Sequence, residues 1–196
     1  MAERGLYGVT WGSVVRRADS RGSFRELWRE DTFAPLEPRS TGSPPGTQPR
    51  FVQANLSTSA AGVLRGLHVH RRQLDHWIVA GGRAFVALVD LRDALASREN
   101  GGAEPPEIET RSVGPDTTVT IPAGVAHGFL AIEPLELVYL VTNLHDGSDE
   151  LGFAWDDPAV GVPWPQAVGT PDGRPILSNR DRANPALAEL LARLAP

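Results

Sequence analysis

Seven short segments, at residues 50–57, 76–80, 83–91, 108–113, 117–121, 128–132 and 135–142, alternate or run apolar between clusters of Gly, Pro, Asn and Asp. A two-residue period puts successive side chains on opposite faces. Strands this short bury their apolar face only against a second layer, so the pattern predicts a mainly β sandwich or barrel. The 20 glycines and 17 prolines agree, because both residues punctuate short elements and weaken long helices. One helix is expected, at the C-terminus: Asn184 is placed to cap it, Pro185 suits its first position, and Leu187, Leu190, Leu191 and Leu194 form one stripe. With 196 residues and 41% hydrophobic content, the chain is expected to close one core, a single domain over residues 1–196. Residues 41–49 and 100–106, rich in Ser, Gly and Pro, are expected to be loops.

A net charge of -5 offers no basic footprint for a nucleic acid, while a few local arginines suffice for a nucleotide-sized anion. The absence of cysteine excludes disulfides, thiolate catalysis and thiolate metal ligands. Any metal must therefore use His and carboxylate. The N-terminus lacks an apolar signal core and no run reaches the roughly 18 apolar residues of a membrane span, so a soluble, cytoplasmic protein is expected.

The stretch from Gly62 to Gly82 carries most of the chemistry, with Arg65, His68, His70, Asp75 and His76 in close succession. Histidines two apart on a strand share a face, and His127, in a second segment from Ile121 to Phe129, can join them from another strand. His68, His70, Asp75 and His127 would then offer the nitrogen and oxygen donors that divalent transition metals accept. The same histidines could instead be satisfied by hydrogen bonds to their neighbours. A second, polar group consists of Arg21, Glu26, Gln53, Asn55 and Arg65, in which Gln53, Asn55 and Ser57 share one strand face. Arginine supplies the fork that grips phosphate oxygens.

The spacing of Gly62, His68, His70, Asp75 and Gly82, and then of Pro122, Gly124 and His127, is similar to the two metal motifs of the cupin superfamily, with Asp where Glu is usual. Across residues 21–187, the segments Arg21-Gly22-Ser23-Phe24, Gln53-Ala54-Asn55-Leu56-Ser57, Arg65-Gly66-Leu67-His68, Val89-Asp90-Leu91-Arg92, Ala126-His127-Gly128-Phe129 and Leu177-Ser178-Asn179-Arg180-Asp181 resemble the dTDP-4-dehydrorhamnose 3,5-epimerase family. The resemblance implies a cupin-type jelly-roll barrel, commonly a homodimer, that epimerises a dTDP-linked 4-keto-6-deoxyhexose without a cofactor. It further implies that His68 is the general base, that Asp181 orients it, and that Tyr139 returns a proton to the opposite face. Arg21, Glu26, Gln53, Asn55, Arg65 and Glu150 correspond to nucleotide and diphosphate contacts, and His127 to a sugar contact.

Three positions depart from the family pattern. The family carries a lysine whose ammonium stabilises the enolate; counted back from Gly82 and Asp90, that position is Asp75, whose carboxylate would repel an enolate. His70 stands where a glutamine-like residue is usual, and His145 where a second active-site tyrosine is usual. Together His70 and Asp75 restore a metal-type donor set, in which a divalent ion could replace the lysine and His68 could be a ligand rather than the base. Two other functions stay open beside epimerisation: a metal-dependent cupin enzyme (isomerase, cyclase, lyase or oxygenase) on a different substrate, and a non-catalytic nucleotide-sugar-binding protein.

Overall fold

The structure is a computed structural model that describes residues 5–31, 50–93, 106–145, 147 and 149–194. The loops expected at 41–49 and 100–106 lie outside the described residues, save Pro106.

The N-terminal strands are β1 (Thr10–Ser13), β2 (Arg16–Asp19) and β3 (Gly22–Arg25). Then come β4 (Gln53–Ser59), β5 (Leu64–Val69), β6 (Asp75–Gly81), β7 (Ala84–Asp90), β8 (Glu107–Val113), β9 (Thr117–Ile121), β10 (Val125–Ala131), β11 (Leu135–Val141) and β12 (Leu151–Gly152). Helices α1 (Asn179–Arg182) and α2 (Leu187–Leu194) follow. Two five-stranded antiparallel sheets, ordered β1-β9-β6-β11-β4 and β12-β5-β10-β7-β8, carry the fold, with β2 and β3 as a separate hairpin. The expected barrel thus takes the form of a jelly roll whose two sheets are separate hydrogen-bonded units. Each of the seven anticipated segments overlaps a strand, β4 or one of β6 to β11.

Between the sheets, Trp77 and Val79 of β6 and Leu135 and Leu137 of β11 pack on Val86 and Leu88 of β7 and Val125 and Phe129 of β10. Strand β10 is buried along its whole length, which simple alternation does not anticipate. Its outer face is covered as well: Ala126 joins Leu67, Val69, Phe153 and the α2 leucines Leu187, Leu190 and Leu191 in a second apolar cluster. Burying each of these leucines is worth roughly 1.5–3 kcal/mol, so the amphipathic stripe of α2 is accounted for by packing. The side chain of Leu194 lies outside the described ones.

The start of α2 differs from the expectation. The Asp157 carboxylate, 30 residues away in sequence, accepts the Leu187 N–H at 2.6 Å, and Asn184 does not cap. Asn184 is instead packed close to Gly152, within reach of any side chain placed there, because the chain pairs back through Ala154 N–H to Pro185 O before the helix begins.

Strand β5 contains a bulge that shapes the interior. His68 stands opposite His127 and Arg65 opposite Phe129, so two residues, Gly66 and Leu67, face the single Gly128. The bulge turns both Arg65 and His68 to the inside, although they are three apart. Gly66 has φ +126°, and a Cβ there would lie 2.6 Å from the Gly128 Cα, so this close approach requires glycine.

Candidate active site

At one end of the sandwich the sheets part around a cleft of about 470 Å³, lined from β4, β5, β6, β10, β11, residues 143–145, 147 and 149–150, and α1. Register explains its composition. Tyr139 pairs with Asn55 on one side and Trp77 on the other, and Val141 pairs with Gln53 and Asp75, so the polar face of β4 and the start of β6 flank Tyr139. Gln53, Asn55 and Ser57 all line the cleft, as the strand period anticipates. The Gln53 amide donates to Asn55 Oδ1 at 2.8 Å and its carbonyl accepts the His145 N–H at 3.1 Å.

On the opposite wall, His68 Nε2 lies 2.6 Å from Asp181 Oδ1. Ser178 caps α1: its hydroxyl accepts the Asp181 N–H at 3.0 Å and donates to Asp181 Oδ2 at 2.9 Å. Burial works to raise the Asp181 pKa, but the His68 hydrogen bond and charge, with Ser178 and Arg180, outweigh it and hold the carboxyl below its ordinary value. A carboxylate only accepts, so Nε2 bears the hydrogen in this contact and Nδ1 is the nitrogen left to act as a base. Tyr139 is shifted the other way: burial, then the negative charges of Asp75 and Glu150, raise its pKa and keep the phenol protonated.

Deeper in the cleft, one donor atom from each of His70, Asp75 and His127 lies within 4.8 Å of the others, and all three residues are buried. His68 is not part of this group, because its Nε2 is held by Asp181. Of the four residues anticipated for a metal, three stay together as a triad, and His68 pairs with Asp181 instead. Burial brings the His127 pKa down from 6.5 to about 4 despite the opposing pull of Asp75, so its imidazole is neutral.

Arg65 lines the cleft while donating from Nε to Ser59 Oγ at 3.1 Å. Glu150 stands at the rim, where it accepts from Arg180 Nη1 at 2.5 Å, with His145 Nδ1 at 3.7 Å from its other oxygen. Arg21 and Glu26 are not brought to this cleft. Arg21 sits at the tip of the β2–β3 hairpin, largely exposed and paired with Asp19, and Glu26 lines a separate depression with Trp28 and Arg29.

Residues 3–189 match the family described as dTDP-4-dehydrorhamnose 3,5-epimerase. The chain belongs to this family. It is 34% identical over 189 residues to the dTDP-4-dehydrorhamnose 3-epimerase of Streptomyces niveus, covering 94% of this chain and 82% of that protein. It is 34% identical over 163 residues to the spore coat polysaccharide biosynthesis protein SpsL of Bacillus subtilis, covering 80% and 95%. Among solved structures, the Mycobacterium tuberculosis rmlC epimerase superposes with a TM-score of 0.78 at 28% identity, over 99% of this chain and 92% of that one. The family's enzymes are sugar-nucleotide epimerases with this jelly-roll fold, and they act without a cofactor.

Several residues that shape the cleft escaped the sequence reading as functional groups. Ser178 holds Asp181; its signal is the Ser-x-x-Asp spacing of a helix cap. Gln73 donates to Asp75 Oδ1 at 2.7 Å. Asp149 offers its carbonyl to His70 Nδ1 at 2.6 Å and its carboxylate to the N–H groups of Arg71 and Arg72. These last contacts join distant segments and leave no local pattern.

Proposed function

We propose that this protein is an epimerase of a dTDP-linked 4-keto-6-deoxyhexose, acting at C3 or at both C3 and C5, in deoxysugar or specialised-metabolite biosynthesis. The observation that carries this reading is the His68–Asp181 dyad, whose basic Nδ1 belongs to a cleft that also contains the protonated Tyr139. The 4-ketone acidifies the hydrogens on C3 and C5. His68 Nδ1 takes one of them, Asp181 offsets the positive charge that the imidazole gains, and Tyr139 donates a proton to the carbanion carbon from the opposite side. Gln53, Asn55, Arg65, His127 and Glu150 then serve as the polar contacts of the sugar and its nucleotide diphosphate.

The reading extends to assembly and place. Residues 1–196 form one epimerase domain, and the chain is a cytoplasmic homodimer. Exposed Val15, Phe24 and Leu56, at 69%, 66% and 65%, support an association surface on the N-terminal hairpin and on β4. In such a dimer Arg21 and Glu26 reach a nucleotide by way of the second copy. The absence of cysteine suits a reducing compartment, and no helix among the described residues is long and apolar enough to cross a membrane.

Proton NMR with dTDP-4-keto-6-deoxyglucose in deuterated buffer tests the chemistry. Enzyme-dependent deuterium uptake at C3, with or without C5, is expected over a protein-free control. No uptake at either carbon from folded protein, with and without added divalent metal, removes the epimerase reading.

A further inference from the structure

The buried end of the cleft brings two imidazoles and a carboxylate together. His70 Nδ1 lies 2.6 Å from the Asp149 carbonyl, and His127 Nδ1 lies 3.2 Å from the Val125 carbonyl. A carbonyl only accepts, so each Nδ1 bears a hydrogen and Nε2 is the nitrogen left to ligate. His127 Nε2 is 3.4 Å from Asp75 Oδ2. The two atoms, with a donor atom of His70, lie within 4.8 Å of one another, close enough for one ion to reach all three. Among the described residues, no hydrogen-bond donor reaches either Nε2.

The surroundings are arranged as they are around metal ligands. Each imidazole is oriented by an Nδ1–H···O=C bond, and the Asp75 carboxylate is fixed by the Gln73 amide at 2.7 Å on Oδ1 and the Trp77 indole N–H at 3.4 Å on Oδ2. The ligating atoms come from three places in the fold: the end of β5, the start of β6 and the middle of β10. The β5–β10 register and the packing of Trp77 against the His127 ring, with centroids 5.1 Å apart, hold them together.

We infer that His70, Asp75 and His127 form a binding site for one divalent first-row transition-metal ion. Two imidazoles and one carboxylate are the donor set that such ions accept, and three protein ligands leave coordination positions open toward the cleft. The ligands carry a single negative charge, so a bound dication gives the pocket a net positive charge. Resting on the epimerase reading, that charge would offset the negative charge of an enolate beside Asp75, which the carboxylate alone would repel.

The test uses tag-free protein treated with EDTA and dialysed, titrated calorimetrically with zinc chloride in the absence of any sugar nucleotide. One-to-one saturable uptake is expected, with the Nε2 resonances of His70 and His127 shifting in long-range proton–nitrogen spectra while those of His76 stay in place. His70→Gln and Asp75→Asn should each weaken uptake by about 10-fold or more, with folding checked by near-UV circular dichroism. No saturable uptake by the folded wild-type chain, or unshifted His70 and His127 resonances, overturns the site. Because no sugar is present, this result is independent of deuterium exchange. For the electrostatic role, loss of exchange on EDTA treatment and its recovery with zinc are expected, whereas exchange indifferent to EDTA overturns that role.

Discussion

His68 and Asp181, 113 residues apart in sequence, meet at 2.6 Å and join the inner strand β5 to the short helix α1. The bond assigns the tautomer of the proposed base, since Asp181 accepts from Nε2–H and leaves Nδ1 to react. In Asp181→Asn the neutral amide neither fixes that tautomer nor offsets the imidazolium. Deuterium exchange at the sugar carbons should fall by about 10²–10⁴-fold, with the unfolding midpoint shifted far less. An Asp181→Asn rate within a factor of about three of wild type would detach the dyad from catalysis.

Tyr139 should separate the two halves of the reaction. It is placed between Asn55 and Trp77 by strand register, and its raised pKa keeps it a proton donor through the neutral range. In Tyr139→Phe, removal of a proton by His68 persists but delivery to the opposite side is lost. Inverted product should form about 10²–10³-fold more slowly, while exchange with retention continues. The comparison is read from one NMR time course, and equal losses of exchange and inversion would assign Tyr139 to binding rather than protonation.

Alternation revealed the strands wherever one face is buried and the other is not, as in β4, where Gln53, Asn55 and Ser57 share the cleft face. It was silent on β5, because the bulge at Gly66 and Leu67 puts Arg65 and His68 on one side despite their odd spacing. The histidines were visible as residue types in a spaced motif. Spacing alone did not divide them: the pairing of His68 with Asp181 came only from the family resemblance, because Ser178 and Asp181 arrive from the far end of the chain. The Asp157 cap of α2 was hidden for the same reason: a side chain 30 residues away displaced the local candidate, Asn184.

The bulge itself makes a testable demand on Gly66. An alanine Cβ would meet the Gly128 Cα at 2.6 Å and the His127 carbonyl at 2.9 Å, in a backbone region that L-residues rarely adopt. Neither neighbour is a flexible side-chain end, so the strands must separate. Gly66→Ala should cost about 2–4 kcal/mol, a fall of roughly 5–15 °C in Tm. It should also reduce exchange, because His68 and His127 sit on the two strands forced apart. An unchanged Tm would mean that β5 can relax without disturbing β10.

His76, on the face of β6 turned away from Trp77 and the cleft, should make the fold sensitive to mild acid. It is buried, with Nδ1 at 2.9 Å from Thr120 Oγ1 and the Phe51 ring centroid 6.0 Å from its own. Burial lowers its pKa from 6.5 to about 4. The unfolded chain takes up a proton near pH 6.5 and the folded chain resists until about pH 4, so between these values the unfolded state binds more protons. Stability therefore falls as pH drops through that window, by about 2 kcal/mol at pH 5 and roughly 3 kcal/mol once both states are protonated. Urea unfolding of wild type and His76→Gln, near pH 7 and near pH 5, isolates this contribution: the wild-type chain should lose about 2 kcal/mol more than the variant. Parallel losses in the two proteins would mean that His76 accepts a proton within the fold, and that the acid sensitivity originates elsewhere.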